Sequence, residues 1–447
     1  MKSCLKNKLW IVIMFWLIFI LSLMMFTGCR QEEPVSIKKA YINKDGELVL
    51  KYSDGEEDNL GVVVGEDGKD GKDGEDGKDG ADGKDGADGK DGVDGKDGII
   101  TVSNSGSNIA YATAKGLQSA VSIFCESEKN SSAGSGVIYK FDKTSGDAFI
   151  ITNFHVVYDS KSTTKNGISP KIQVFLYGGE LLEQGIEAEY IGGSDYYDIA
   201  ILRVEGSELL KNSGVCEVKV ADSDKILVGE PAIAVGNAKG MGLASSYGVV
   251  SVDSEHITMS SEKDNEPVSF RVMRVDTAVN PGNSGGGLYN ENGELIGIVN
   301  AKIIDSSVEG IGYAIPSNVA VAVADNIIDN CFGKDCESVQ RCMMGVMITI
   351  SNSRAEFDSQ TGRVTLKEDV VVHEITEGSM VKGILEVGDI IKGIVVGDKS
   401  LEVIRQHQVI DFMLNVRVGD TVTLTVLRNG ETINKTLEIT EAYITAY

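Results

Sequence analysis

The chain has 447 residues, 42% of them hydrophobic, and a formal net charge of −25. That length exceeds what one hydrophobic core organises, so two or three domains are expected. So acidic a surface repels nucleic-acid phosphates and gains nothing from anionic lipid headgroups, which argues against both as charge-driven partners.

Lys2, Lys6 and Lys8 precede an apolar run from Leu9 to Phe26, broken only by Ser22. Phe26-Thr27-Gly28-Cys29 follows. Small residues before a cysteine at the end of such a run resemble a bacterial lipoprotein signal, with 1–28 removed and Cys29 lipidated. The alternative is an uncleaved signal anchor, since the run is long enough to span a bilayer. Both put the remainder outside the cytoplasm, anchored to the outer face of a bacterial cell membrane.

Residues 29–64 read as a small β-hairpin module. Lys39-Ala40-Tyr41-Ile42 and Glu47 to Tyr52 flank Asn43-Lys44-Asp45-Gly46, and Ser53-Asp54-Gly55 supplies a second turn. From Gly65 to Gly98 every third residue is Gly. Strict Gly at that period is what a collagen-like triple helix demands at its axis, although no proline helps and a charged flexible linker has the same composition. Residues 99–116 are rich in Ser, Asn, Gly and Ala and read as a linker.

From 117 to 332 short apolar strands alternate with Gly turns, as in an all-β barrel or sandwich: Val121 to Phe124, Ala148 to Thr152, Ile172 to Leu176, Ile199 to Val204 and Ala232 to Val235. Val319 to Asp329 reads as a closing helix. Cys331, Cys336 and Cys342 then cluster. In an oxidising compartment they predict a local disulfide; no His lies near and the spacing is not that of a zinc site, so no metal is expected. Residues 340–447 read as a separate unit of strands with two short helices.

Serine hydrolysis needs a hydroxyl nucleophile, an imidazole base, a carboxylate to orient it and N–H donors for the oxyanion, with no cofactor. Ser284 lies in Asn280-Pro281-Gly282-Asn283-Ser284-Gly285-Gly286-Gly287. Glycines on both sides let the backbone turn so that the N–H groups of Gly282 and Ser284 converge. The chain has four histidines. His373 and His407 fall in the C-terminal unit and His256 in a polar stretch, which leaves His155, just after a strand, as the base. Asp198 opens an apolar strand, where a carboxylate carried into the core needs a partner. Asp195, in the polar loop before it, ranks second.

The order His155, Asp198, Ser284 is that of chymotrypsin-like proteases. The surrounding words resemble the HtrA (Deg) family: TNFHVV, DIAIL, AVGNAKG, YGVVS, VDTAVNPGNSGGGL, GELIGIVN and GIGYAIP, in the family's order. The resemblance implies two packed six-stranded β-barrels with the triad between them. It further implies an oxyanion loop of Gly282, Asn283 and Ser284, and a substrate pocket along Ile298, Val299 and Asn300 for a small or medium aliphatic side chain. The C-terminal unit resembles an α+β PDZ domain. Met344, Gly345, Val346 and Met347 stand at its peptide-binding loop and strand, and 348–367 reads as an insertion. The implied activity is ATP-independent endoproteolysis of unfolded or exported proteins by a homotrimer, with peptide C-termini as ligands of the PDZ unit. The rival reading is a surface chaperone or adhesin displayed on a trimeric stalk.

Overall fold

The computed structural model describes residues 37–44, 47–53, 55–62, 105–164, 166–179, 185–303, 310–334, 338–359 and 363–446. The signal-like segment with Cys29, the Gly-X-Y run and Cys336 lie outside them. The chain divides into two compact units, 1–96 and 97–447.

In the first unit β1 (Ile37–Ile42), β2 (Glu47–Tyr52) and β3 (Glu57–Val62) form an antiparallel sheet in chain order. The expected hairpin is thus extended by a third strand after the second turn.

The second unit opens with α1 (Ser105–Ser119). This corrects the linker reading of 99–116 over residues 105–116. Ala112 is fully buried and Ile109 and Leu117 pack beside it, so one apolar face suffices to hold a helix whose other residues are small and polar. Gly116 is required there: a Cβ would fall 2.8 Å from Val235 and 3.0 Å from the Tyr289 ring.

Next come β4 (Ala120–Glu126), β5 (Ser131–Asp142), β6 (Asp147–Thr152), the one-turn α2 (Phe154–Val157), β7 (Lys171–Phe175), β8 (Ile186–Glu187), β9 (Glu189–Ser194), β10 (Ile199–Val204) and the short α3 (Glu208–Lys211). They form a seven-stranded sheet, ordered β8-β7-β4-β5-β6-β10-β9, where a closed six-stranded barrel was expected. The seventh strand is the two-residue β8, paired to the outer side of β7. The expected closed six-stranded barrel does occur in the second half. It comprises β11 (Pro231–Gly236), β12 (Ala244–Ser260), β13 (Pro267–Val275), β14 (Gly287–Tyr289), β15 (Leu295–Asn300) and β16 (Gly312–Pro316).

Period-two alternation packs these sheets. Along β10, Ile199 and Ile201 face the core shared by sheet, barrel and closing helix, while Ala200, Leu202 and Val204 face the first sheet's own core. The closing helix α4 (Ser317–Cys331) buries Val319, Val323 and Ile327 in the shared core. Cys331 is disulfide-bonded, and Cys125, Cys216 and Cys342 are free thiols.

The C-terminal residues build β17 (Gln340–Cys342), β18 (Val346–Asp358), β19 (Arg363–Ile375), β20 (Ile390–Val396), β21 (Lys399–Glu402), α5 (Gln406–Phe412), β22 (Thr421–Arg428), β23 (Glu431–Glu438) and β24 (Ile444–Ala446). The stretch 348–367, read as an insertion, continues the β18–β19 hairpin. Two devices tie this part to the barrel. Asn326 of α4 donates to Gln340 O and Leu414 O and accepts from the Gln340 N–H. Arg271 of β13, buried, pairs with Asp224 at 2.8 Å and with Asp411 of α5 at 2.7 Å.

Candidate active site

Asp198 is buried and takes the left-handed φ of +50°, which a non-glycine residue adopts only when its surroundings hold it there. Three groups do so. The Asn153 amide donates to its carbonyl at 2.8 Å, and the His155 N–H donates to Oδ1 at 3.0 Å. Asn300 Nδ2 donates to Oδ2 at 2.7 Å. Oδ2 also meets His155 Nδ1 at 2.7 Å. A carboxylate only accepts, so Nδ1 carries the proton and Nε2 of the neutral ring is left as the base. His155 reaches this position because the flanking Phe154, Val156 and Val157 are buried and pin α2 to the sheet. The competitor Asp195 is engaged elsewhere, accepting from Ser261 Oγ and from the N–H groups of Glu262 and Lys263.

Ser284 is tied to the same neighbourhood through the end of β15, where Asn300 reaches Asp198 and the next residue, Ala301, reaches the serine hydroxyl. Gly134 of β5 separates the two: a Cβ there would fall 2.6 Å from Val156 and 3.2 Å from Ser284 O. The Ser284 hydroxyl accepts from the Ala301 N–H at 3.1 Å, and among the described residues it makes no hydrogen bond to His155.

The loop before the serine is fixed peptide by peptide. Lys239 N donates to Pro281 O at 2.8 Å, Ser135 Oγ to Gly282 O at 2.7 Å and Gly286 N to Asn283 O at 2.9 Å. The N–H of Asn283, between the two expected donors of the oxyanion loop, donates to Asn280 O at 2.9 Å. Among the described residues the N–H groups of Gly282 and Ser284 have no intramolecular acceptor. Gly282 has φ +98°, and a Cβ would fall 2.3 Å from Asn237 O, so no other residue fits without moving the loop.

On the strand expected to line the substrate pocket, Ile298 and Val299 are buried on opposite faces of β15, Ile298 in the shared core and Val299 inside the barrel. Asn300 is spent on Asp198. The roles of Asn153, Asn300 and Ser135 escaped the sequence reading, because each acts on a residue far away in the chain.

At the proposed peptide-binding loop, Met344 is buried, Gly345 has φ +72° and Met347 is exposed. Val346 begins β18, an edge of the sheet β18-β19-β20-β22-β23. Gln406 Nε2, at the start of α5, donates to Ile348 O on that strand at 3.0 Å.

Two packed β units with a carboxylate–imidazole pair on one side and a glycine-framed serine on the other define a trypsin-like serine peptidase. Residues 134–298 match the family model of the trypsin-like peptidase domain. The serine protease Do-like HtrA of Lactococcus lactis subsp. cremoris is 32% identical over 322 residues, covering 70% of this chain and 72% of that protein. HtrA of Bacillus subtilis is 30% identical over 335 residues, covering 72% and 68%. The periplasmic serine endoprotease DegP of Escherichia coli is 30% identical over 322 residues, covering 71% and 59%. Among solved structures, the HtrA-type protease AlgW with tripeptide aligns at 26% identity over 76% of this chain and 97% of that one, with a TM-score of 0.45. The chain belongs to the HtrA family of serine proteases, and it is a serine endopeptidase.

Proposed function

We propose that this endopeptidase cleaves misfolded or exported proteins outside the cytoplasm by acyl-enzyme chemistry, with Ser284 as nucleophile and His155 as base. Rotation about the Cα–Cβ bond turns the Ser284 hydroxyl from the Ala301 N–H toward His155 Nε2, which takes its proton as Oγ attacks the scissile carbonyl. Asp198 holds the imidazole in the required tautomer and stabilises the imidazolium that forms. The carbonyl oxygen, now negative, accepts from the N–H groups of Gly282 and Ser284. The imidazolium then protonates the departing amine, the C–N bond breaks and the acyl group remains on Oγ. Water, deprotonated by the same Nε2, attacks the ester; the C–Oγ bond breaks, Oγ takes the proton back from the imidazolium, and the acid product leaves.

The observation that carries this reading is the buried Asp198 carboxylate, which binds both the N–H and Nδ1 of His155. Ser284→Ala tests it. Casein hydrolysis by the variant is expected to fall by about 10⁶-fold, as when such a nucleophile is removed. Hydrolysis kept at a tenth of the parent rate contradicts it.

The wider organisation belongs to the same proposal. Residues 117–332 carry proteolysis. Residues 340–447 act as a PDZ domain, in which a peptide C-terminus docks at Met344 to Met347 and adds a strand to β18; Gln406 must then release Ile348 O. The lipid on Cys29, or the uncleaved apolar segment, holds the chain to the membrane. The Gly-X-Y run joins three copies into a trimer. The periplasmic location in the name of the E. coli relative fits this compartment. Among the described residues no helix is long and apolar enough to cross a membrane.

A further inference from the structure

Ser135 lies on β5 of the first sheet, is fully buried, and makes four hydrogen bonds that leave its own strand's pairing. Its N–H donates to Ser284 O at 2.8 Å. Its carbonyl accepts from Thr152 Oγ1 at 2.7 Å, three residues before His155. Its hydroxyl accepts from the Asn237 N–H at 2.8 Å and lies 2.7 Å from Gly282 O. The polarity of the last bond is forced. Asn237 N–H can only donate and a carbonyl can only accept, so the single hydroxyl proton goes to Gly282 O.

The consequence follows from the planarity of the peptide. Each carbonyl held on one side fixes the next N–H on the other. Pro281 O, Gly282 O and Asn283 O are all held, so the N–H groups of Gly282, Asn283 and Ser284 have fixed directions. Two of the three holding donors are backbone amides, of Lys239 and Gly286. The third is the Ser135 side chain. Without it, Gly282 O loses its donor, and the Gly282–Asn283 peptide keeps a single anchor, the Asn283 N–H bond to Asn280 O. Both oxyanion donors flank that peptide. The site around the hydroxyl is also cleared for it. Cβ atoms built at Gly236 and Gly286 would lie 3.0 Å from Ser135 Oγ and 3.2 Å from Ser135 Cβ.

We propose that Ser135 is a positioning residue for the oxyanion loop: its hydroxyl, by holding Gly282 O, keeps the N–H groups of Gly282 and Ser284 aimed at the oxyanion. This rests on the reading of Ser284 as nucleophile. It also links the two halves of the peptidase, since the clamp sits on the sheet that carries His155 and the loop belongs to the barrel.

The test compares Ser135→Ala and Ser135→Thr with the parent in the full-length enzyme, with kcat expressed per titrated active site. A peptide amide substrate separates kcat from KM. A peptidyl boronic acid, tetrahedral once bound to the serine, reads oxyanion stabilisation directly. For Ser135→Ala, kcat is expected to fall by about 10²-fold with KM within threefold, and boronate affinity to fall in parallel. Ser135→Thr, which keeps the hydroxyl, recovers most of the loss. A merely structural role would reduce the number of titrated sites and leave their kcat alone. The proposal is overturned by Ser135→Ala whose kcat per site stays within threefold of the parent, or by a deficit that Ser135→Thr does not reduce. Ser284→Ala run alongside separates the two readings: retained hydrolysis there removes the nucleophile assignment, whereas an inert Ser284→Ala beside an unimpaired Ser135→Ala removes only this inference.

Discussion

At the scale of single residues, the site depends on what Asp198 accepts. Its two carboxylate oxygens take three donors, from the His155 backbone, the His155 ring and Asn300. Asp198→Asn keeps the size and removes the charge. The new amide must either present N–H groups to His155 Nδ1, forcing the proton onto Nε2, or confront the Asn300 amide donor to donor. A fall in kcat of about 10⁴-fold at neutral pH is expected, measured on a peptide substrate with circular dichroism as the check on folding; a loss below tenfold would contradict the orienting role. The residues bearing on this chemistry were unequally legible. His155 could be read because imidazoles are scarce in the chain, and Asp198 because it opens an apolar strand. Ser135 could not be: it opens the strand read at Ser135 to Tyr139, with nothing to mark its hydroxyl, and its partners at Asn237 and Gly282 are about a hundred residues or more away.

At the scale of elements, the contact between β12–β13 and α5 carries a buried ionic cluster. Arg271 bridges Asp224 and Asp411, and its Nε donates to Ser254. His407 meets Ser254 at 3.2 Å and Asp224 at 3.6 Å, and Arg405 pairs with Asp253. Removing the central charge by Arg271→Ala leaves two buried carboxylates facing each other. A loss of about 3–5 kcal/mol is expected in denaturant unfolding; no loss would mean the cluster is solvated. The Asp224 carboxyl is held well below the usual carboxylate range: burial opposes this, but His407 and Arg271 outweigh it. His407 is pushed below the ordinary imidazole value, first by burial and then by Arg271 and Arg405, against the pull of Asp224 and Asp411. A base depressed in the folded state contributes stability that is full above its unfolded pKa, about 6.5, and that is lost as pH falls below it. The midpoint of thermal unfolding is therefore expected to drop between pH 7.5 and 5 more steeply in the parent than in His407→Gln. Equal slopes would show that His407 is not buried in solution. None of this contact was visible in the sequence, because its charges are scattered from 224 to 411 and look like ordinary surface. The helix at 105–119 was missed for a related reason: its apolar face is short, and the barrel completes it.

At the scale of the whole molecule, the proposed trimer draws on two parts of the chain. The Gly-X-Y run and the family resemblance both point to a threefold particle, from independent parts of the chain. Sedimentation equilibrium of the chain from residue 30 onward is expected to give three times the monomer mass; a concentration-independent monomer would remove the stalk and the trimer together. The strand pattern of 117–332 was legible because short apolar runs between glycine turns report an all-β fold. The order of those strands was not, since register is set by contacts distant in the chain. The proposed chemistry turns on one hydroxyl made nucleophilic by one imidazole. Its most direct measurement is to react the intact enzyme with a fluorophosphonate and to locate the adduct by peptide mass spectrometry, in the parent and in His155→Ala. A single adduct is expected on Ser284, and it disappears when the imidazole is removed. An adduct on another serine, or equal labelling of Ser284 without His155, would contradict it.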